Sequence, residues 1–136
     1  MDIIVPFSVR KKELAGAVSD EAKKIFAKIK EKPEIAAAIS AKGLPDRTTL
    51  HKVYATSPGG PRRLLFFCRH TQAGSAESPQ VPERWVLVLY RNKGDAVGEN
   101  MSHKNAAFES QLEKNMTRAL GDILASTLEK PLYEKF

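Results

Sequence analysis

Basic and aromatic side chains stand at the ends of three apolar segments in the middle of the sequence. They are Lys52, Arg62, Arg63, Arg69, Tyr90, Arg91 and Lys93, and His103 and Lys104 follow in the polar stretch before the final amphipathic segment. An arginine guanidinium holds two phosphate oxygens with its planar fork, and a lysine adds a compact positive charge. Residues 51–104 carry eight basic and four acidic side chains, whereas the charges of residues 1–50 are mixed along helical patterns. The sequence therefore predicts that a polyanion binds in the central segment.

The overall composition fits the same class of partner. The 136 residues carry a formal net charge of +6, which favours nucleic acid, a membrane surface or an acidic protein. The sequence has no secretory leader and no stretch of the ~18 apolar residues that cross a bilayer, so we expect a cytoplasmic protein with no membrane partner. Cys68 is the single cysteine, and its apolar neighbours predict a buried structural thiol.

Motifs for phosphate loops, dinucleotide binding and metal chemistry are absent from the sequence. It contains no GxxxxGK[ST], GxGxxG or HExxH pattern and no paired Cys–His set at zinc spacing. The three histidines are scattered, and no spacing supports a Ser-His-Asp triad or a two-carboxylate hydrolase. We therefore expect no metal site and no cofactor, and a chemistry based on basic and aromatic groups.

The elements that must position these side chains begin with a helical half. Residues 2–7 form a short apolar segment, typical of an edge strand. From about Ser8, apolar residues recur every three or four positions, which predicts an amphipathic helix. Pro33 is a suitable first residue for a second helix and Gly43 for its end. The sequence therefore predicts two helices joined at Pro33, as a helical hairpin or a kinked pair.

Strand patterns follow, and a last helix closes the chain. The predicted elements are strands over 51–56, 62–70 and 84–91, a loop over 71–83, a polar connection over 92–104 and an amphipathic helix over 106–128. The third strand is apolar on both faces, which predicts a central position in the sheet. The predicted fold class is α+β in a single domain, residues 1–136. It has an N-terminal helical hairpin, a three- to four-stranded antiparallel meander and a C-terminal amphipathic helix.

The central segment resembles the sheet of the RelE/ParE toxin superfamily. The resemblance is carried by Lys52-Val53-Tyr54, by Gly60-Pro61-Arg62-Arg63-Leu64-Leu65-Phe66 and by Trp85-Val86-Leu87-Val88-Leu89-Tyr90-Arg91-Asn92-Lys93. It implies a RelE-like fold and metal-independent cleavage of mRNA, on the ribosome or free, by a toxin that a cognate antitoxin neutralises. ParE-type members of the superfamily instead poison gyrase, so the fold alone does not decide the activity.

The resemblance also assigns residues. Lys52 matches the basic strand residue of the family, Arg63 its phosphate-clamping arginine, and Arg91 or Lys93 the basic residue after the last strand. The chain departs from shorter family members in the loop at 71–83, the polar stretch at 92–104 and a longer final helix. The C-terminal aromatic residue of the family has no fixed match in this chain, and Tyr90 and Tyr133 are the two candidates.

RNA cleavage of this kind uses the 2′-hydroxyl of the RNA as the nucleophile. Our hypothesis has Arg63 and Arg91 clamping the phosphate, Lys52 taking or sharing the base role and His103 or Lys93 supplying the acid. Further RNA contacts are assigned to Arg62, Arg69, Tyr90 and Lys104. The alternatives are a non-enzymatic ParE-like inhibitor and a basic nucleic-acid-binding module without activity. The plainest interpretation is that basic residues here only protect strand ends from aggregation.

The catalytic hypothesis requires cations from three neighbouring strands to converge on one spot. In an antiparallel meander the end of the first strand adjoins the start of the second. Lys52 and Arg63 therefore share one face of the sheet if the strand register permits.

Overall fold

The secondary structure was obtained from a computed structural model, which describes residues 1–41, 43–44, 47–55, 63–70, 83–92 and 106–136. The elements in chain order are β1 (Asp2–Pro6), α1 (Phe7–Glu13), α2 (Asp20–Glu31), a 3-10 turn (Pro33–Ile35), β2 (Ala37–Ile39), β3 (Thr48–Ala55), β4 (Arg63–His70), β5 (Arg84–Asn92), α3 (Ala106–Ala125) and β6 (Tyr133–Lys135). Within these ranges, six strands form one sheet in the order β2-β3-β4-β5-β1-β6.

The three central strands are only part of a larger mixed sheet. β3, β4 and β5 pair antiparallel in sequence order. β1 pairs parallel with β5 and antiparallel with β6. The predicted three- to four-stranded antiparallel sheet is therefore wrong, although the α+β class is right. β1 is an inner strand, because β6 at the chain terminus takes the edge beside it.

The predicted first helix is two helices. α1 ends at Glu13, and the backbone turns at Ala15 and Gly16, which both have positive φ angles of 52° and 93°. A positive φ is incompatible with a continuing right-handed helix. α2 then starts afresh at Ser19, whose hydroxyl oxygen accepts a hydrogen bond from the backbone N–H of Ala22 at 3.2 Å.

The predicted second helix after Pro33 is wrong. Pro33 begins only a single 3-10 turn, after which Ala36 has an extended backbone (φ −94°, ψ 102°). Ala37–Ile39 then pair with Leu50–Lys52 of β3 as an edge strand. The edge of β3 offers ladder hydrogen bonds to this segment, and that tertiary pairing overrides the local helical signal. The helical hairpin is consequently absent from the described fold.

Helices cover both faces of the sheet. Phe67 of β4 points towards α2, where its ring meets Phe26 with a centroid distance of 6.0 Å. The neighbouring Phe66 points the other way and meets Phe108 of α3 at 5.1 Å. We name these the α2 face and the α3 face. β4 and β5 are buried on both, as the sequence predicted for the third strand of the meander.

α1 and α3 share the α3 face. The carboxylate of Asp122 accepts hydrogen bonds from the backbone N–H and hydroxyl of Ser8, at 2.8 and 2.6 Å. α3 ends at Ala125, earlier than predicted, and its inward stripe runs through Phe108, Leu112 and Ala119. Leu120 and Leu128 recur at helical spacing with Phe108 and Leu112 in the sequence, yet both are exposed. In the described ranges, no helix is long and apolar enough to span a bilayer.

Candidate nucleic-acid interface

The register of β3 and β4 separates Lys52 from Arg63. Lys52 lies opposite Phe66, and Ala55 lies opposite Arg63. Directly opposed residues point to the same face, and positions 63 and 66 are an odd number of residues apart. Lys52 therefore points to the α3 face and Arg63 to the α2 face. The expectation that they share a face is wrong.

Arg91 is held inside the molecule by a buried carboxylate. It lies on the α3 face opposite Leu64, and its guanidinium grips Glu13 of α1 with Nη2–Oε2 and Nε–Oε1 distances of 2.9 and 3.0 Å. The Glu13 side chain is only 1% exposed. Burial raises the pKa of Glu13 above its ordinary value, and the charge of Arg91 is the largest opposing influence. The guanidinium of Arg91 is therefore paired with Glu13. Arg63 and Arg91 do not form the predicted phosphate clamp.

A buried asparagine completes this polar cluster. The side-chain amide of Asn115 in α3 donates to Val88 O at 2.8 Å and to Glu13 Oε1 at 3.3 Å. The β4–β5 register shifts between Phe66 and Phe67, so Val88 is an extra residue in the ladder. The amide of Asn115 thus donates a hydrogen bond to the carbonyl oxygen of the bulged residue. We name Glu13, Arg91 and Asn115 the buried polar cluster.

Arg63 and Tyr90 form an aromatic–cation pair on the α2 face. The guanidinium carbon lies 5.8 Å from the ring centroid of Tyr90, and Arg63 Nε lies 4.0 Å from a carboxylate oxygen of Glu21. Among the described residues, none accepts a hydrogen bond from this buried Nε. Burial, and then the charge of Glu21, raise the pKa of Tyr90. The phenol therefore stays protonated at neutral pH.

Lys52 and Tyr54 form a second aromatic–cation pair, on the α3 face. The lysine Nζ lies 5.0 Å from the ring centroid, and Tyr54 is 47% exposed. Tyr54 lies opposite Leu64, which in turn lies opposite Arg91. Both aromatic–cation pairs thus stand at the end of the sheet where β3 and β5 finish and β4 begins. We call Lys52, Tyr54, Arg63 and Tyr90 the basic end of the sheet.

The remaining predicted site residues lie elsewhere or outside the described residues. Arg69 is at the opposite end of the sheet, where it pairs with Glu83 and packs on the Trp85 ring at 5.3 Å. Tyr133 lies in β6, opposite Pro6 and away from the meander. Four positions fall outside the described ranges, namely Arg62, Lys93, His103 and Lys104. The hypothetical acid, His103 or Lys93, consequently has no structural description.

Sequence reasoning missed Tyr54 as a site residue. The signal was present, because Tyr54 follows Lys52 by two positions on a strand and must share its face. The sequence alone did not predict that the Tyr54 ring is exposed to solvent. The buried polar cluster had no such signal, since Glu13, Arg91 and Asn115 come from three separate elements.

Cys68 is a buried thiol, as predicted, and burial raises its pKa to about 12. At mildly alkaline pH only about one thiol in ten thousand is ionised, and the thiolate is the reactive form. We expect native protein to resist iodoacetamide under these conditions, and protein in concentrated guanidinium to react completely. Mass spectrometry of the alkylated chain measures both. Rapid labelling of the native state would show that Cys68 is accessible and ionised.

Metal ligands and known relatives give no further assignment. In the part of the chain that the structure describes, no group of three or more His, Cys, Asp or Glu side chains is arranged to hold a metal ion. No protein-family model matches the sequence, and no curated protein or solved structure matches the chain.

Proposed function

We propose that this protein binds single-stranded RNA through the basic end of its sheet, in the cytoplasm and without the catalytic arrangement that the sequence predicted. The observation that carries the proposal is the exposed Tyr54 ring with Lys52 Nζ 5.0 Å from its centroid. Proteins bind single strands by stacking bases on exposed aromatic rings and placing cations along the backbone. Tyr54 supplies the stacking surface and Lys52 the phosphate contact.

The second aromatic–cation pair extends this surface around the same end of the sheet. Arg63 has a guanidinium in contact with Tyr90 and a buried Nε that no described residue uses as a hydrogen-bond donor. Its pairing with Glu21, at 4.0 Å and partly exposed, is a weak ion pair. Arg63 is therefore less firmly paired than Arg91, whose guanidinium is engaged by Glu13.

The plainer interpretation, that these basic residues only protect strand ends, does not account for Tyr54. β3 is covered by β2 along the edge near Lys52, since Ala37 pairs with Lys52 itself. Lys52 is therefore not an edge residue that has to repel another sheet. An exposed aromatic ring beside a cation is instead a feature of surfaces that recognise a ligand.

Cleavage of the RNA stays a prediction with a weaker basis. Lys52 and Arg63 lie on opposite faces, so they do not grip one phosphodiester together as the mechanism required. The toxin activity, the antitoxin partner and the gyrase alternative are untested predictions. The observation that would support a toxin and its antitoxin is growth arrest on expression that the product of a neighbouring gene relieves.

Replacing Tyr54 with alanine is expected to weaken binding of a fluorescent uridine oligonucleotide about tenfold, because stacking on one ring contributes about 1–3 kcal/mol per base. Tyr54→Phe keeps the ring and should bind like the wild type. Fluorescence anisotropy at low and moderate salt measures the affinity. It should fall with salt, because phosphate contacts release counterions.

Two controls make this test specific. Lys52→Gln should weaken binding and flatten the salt dependence, whereas Lys114→Gln removes an equal charge from the exposed face of α3 and should change little. Duplex RNA and single-stranded DNA of equal length test whether unstacked RNA is preferred. Equal affinities of the wild type and Tyr54→Ala would refute the proposal.

A further inference from the structure

The ion pair of Arg91 and Glu13 joins a partly exposed cation to an inaccessible anion. The Arg91 side chain is 25% exposed, whereas the Glu13 side chain is 1% exposed. Both carboxylate oxygens of Glu13 contact the guanidinium, at 2.9 and 3.0 Å. An anion from solvent can therefore approach Arg91 but not Glu13, and it competes with Glu13 for the same N–H donors.

Arg91 also lies near the exposed Tyr54 ring, on the same face of the sheet. Tyr54, Leu64 and Arg91 stand opposite one another on β3, β4 and β5, all on the α3 face. Neighbouring strands are about 4.8 Å apart, so roughly 10 Å separate the Cα atoms of Tyr54 and Arg91. Both side chains are long enough to contact one RNA strand across that distance. A base stacked on Tyr54 thus brings an adjacent phosphate towards Arg91.

The groups that face Glu13 come from β5 and α3. They are the guanidinium of Arg91, the backbone N–H of Tyr90 and the side-chain amide of Asn115. Arg118 of α3 follows behind, with Nη1 3.4 Å from Asn115 Oδ1. Burial raises the pKa of Glu13, and the charge of Arg91 is the largest influence against that rise. A phosphate that takes over the donors of Arg91 therefore favours the protonated form of Glu13.

The remaining charges near Glu13 lie on its own helix. Arg10 is paired with a carboxylate of β6, and Lys11 and Lys12 are exposed, so water screens their charges. Among the described residues, Arg91 is thus the cation that contacts Glu13.

We propose that protonation of Glu13 strengthens RNA binding at the basic end, because it releases the guanidinium of Arg91 to a phosphate. This regulation by pH rests on the RNA-binding function proposed above. With Glu13 ionised, the pair carries no net charge, and with Glu13 neutral it carries a single positive charge near Tyr54. RNA affinity therefore rises as the pH falls. Because linkage is reciprocal, the complex also takes up a proton as it forms.

The test is fluorescence anisotropy of the full chain with a uridine oligonucleotide, between neutral pH and about pH 5, just above the ordinary pKa of a glutamate. Uridine carries no group that titrates in this range. We expect wild-type affinity to rise about tenfold as the pH falls, because one charge-assisted phosphate contact is gained. Glu13→Gln should bind tightly already at neutral pH and depend little on pH. Glu113→Gln is the matched control, since it removes an exposed carboxylate of α3 and should keep the wild-type pH dependence.

A second measurement counts the proton directly. Isothermal titration calorimetry in two buffers of different ionisation enthalpy should show proton uptake when the wild type binds RNA at acidic pH, and less uptake with Glu13→Gln. If Glu13→Gln does not fold, as circular dichroism would show, proton uptake by the wild type decides. RNA binding that depends on Tyr54 but neither changes with pH nor takes up a proton overturns this inference alone. Equal affinities of Glu13→Gln and the wild type at neutral pH do the same, whereas absence of RNA binding at every pH overturns the proposed function as well.

Discussion

Replacing Arg91 with methionine is expected to lower the free energy of unfolding by about 3–5 kcal/mol at neutral pH. Methionine retains much of the apolar stem but removes the guanidinium that contacts both oxygens of Glu13. The carboxylate is then buried between α1, β5 and α3, with Asn115 as its remaining side-chain hydrogen-bond donor among the described residues. An uncompensated buried charge is far costlier than the loss of an exposed ion pair. Urea denaturation followed by circular dichroism measures the difference.

The pH dependence of this loss has a definite sign. The pKa of Glu13 is already raised by burial, and removing Arg91 takes away the strongest influence that lowers it. A raised native-state pKa stabilises the fold below the unfolded-state pKa, and this stabilisation is lost as the pH rises through the native-state value. The deficit of Arg91→Met relative to the wild type should therefore shrink as the pH is lowered towards the acidic range, where Glu13 becomes neutral.

Two further variants separate the buried charge from other effects. The double variant Glu13→Leu/Arg91→Met removes both charges, and should recover most of the stability that Arg91→Met loses. Arg63→Met breaks the long, partly exposed pair with Glu21 and should cost less than about 1 kcal/mol. If Arg91→Met and Arg63→Met lose the same small amount, the buried polar cluster does not stabilise the fold.

Replacing Phe67 with alanine is expected to cost about 3–5 kcal/mol, the second large effect. Phe67 is fully buried on the α2 face, and its ring meets those of Phe26 and Trp85, each with a centroid distance of 6.0 Å. Truncation leaves a cavity between β4 and α2 that the two rigid rings cannot close. Guanidinium denaturation, with the slope compared between variants, measures the change.

The exposed aromatic of the same meander provides the contrast. Tyr54→Ala should cost less than about 1 kcal/mol, because its ring is already half in water. Phe67→Leu should cost less than Phe67→Ala, since leucine fills part of the space. A small loss for Phe67→Ala would mean that α2 does not pack firmly on the sheet. A large loss for Tyr54→Ala would mean that this ring has a structural role, which would also weaken the RNA-binding proposal.

The parts of the fold that local patterns determine were predicted correctly. Strand segments around Leu64–Cys68 and Trp85–Leu89 are continuous apolar runs, bounded by glycine, proline and charged residues. Such runs are read from neighbouring residues alone, and they place β4 and β5 at the centre of the sheet. The helical period of α3 is equally local.

The parts that depend on distant partners were not predicted. Ala37–Ile39 is a strand only because β3 is beside it, and Tyr133–Lys135 is a strand only because β1 is beside it. Asn115 reads as a polar interruption of a helix stripe, yet it is buried because the bulge at Val88 requires a hydrogen-bond donor. No property of these segments alone distinguishes them from turns or surface residues.

The prediction of the candidate site was wrong about one specific property, the register of the strands. A shift of a single residue moves a side chain to the other face, so the sequence located Lys52 and Arg63 near one end of the sheet but not on a common face. The ion pair of Arg91 could not be predicted either, because its partner Glu13 is far away in the chain. Residue types predicted which groups were available, and tertiary pairing decided which of them were free to act.

The position of β1 constrains the order in which the protein assembles. Ile4 pairs with Val86 on one side and with Lys135 on the other, residues that are made about 80 and 130 positions later. β1 therefore cannot pair with either neighbour until those later segments have been made, and the backbone hydrogen bonds between Ile3 and Phe136 join residues more than 130 positions apart. Contacts of such long range slow folding, so the nascent chain exposes the unpaired apolar segment of β1 until β5 and β6 are available.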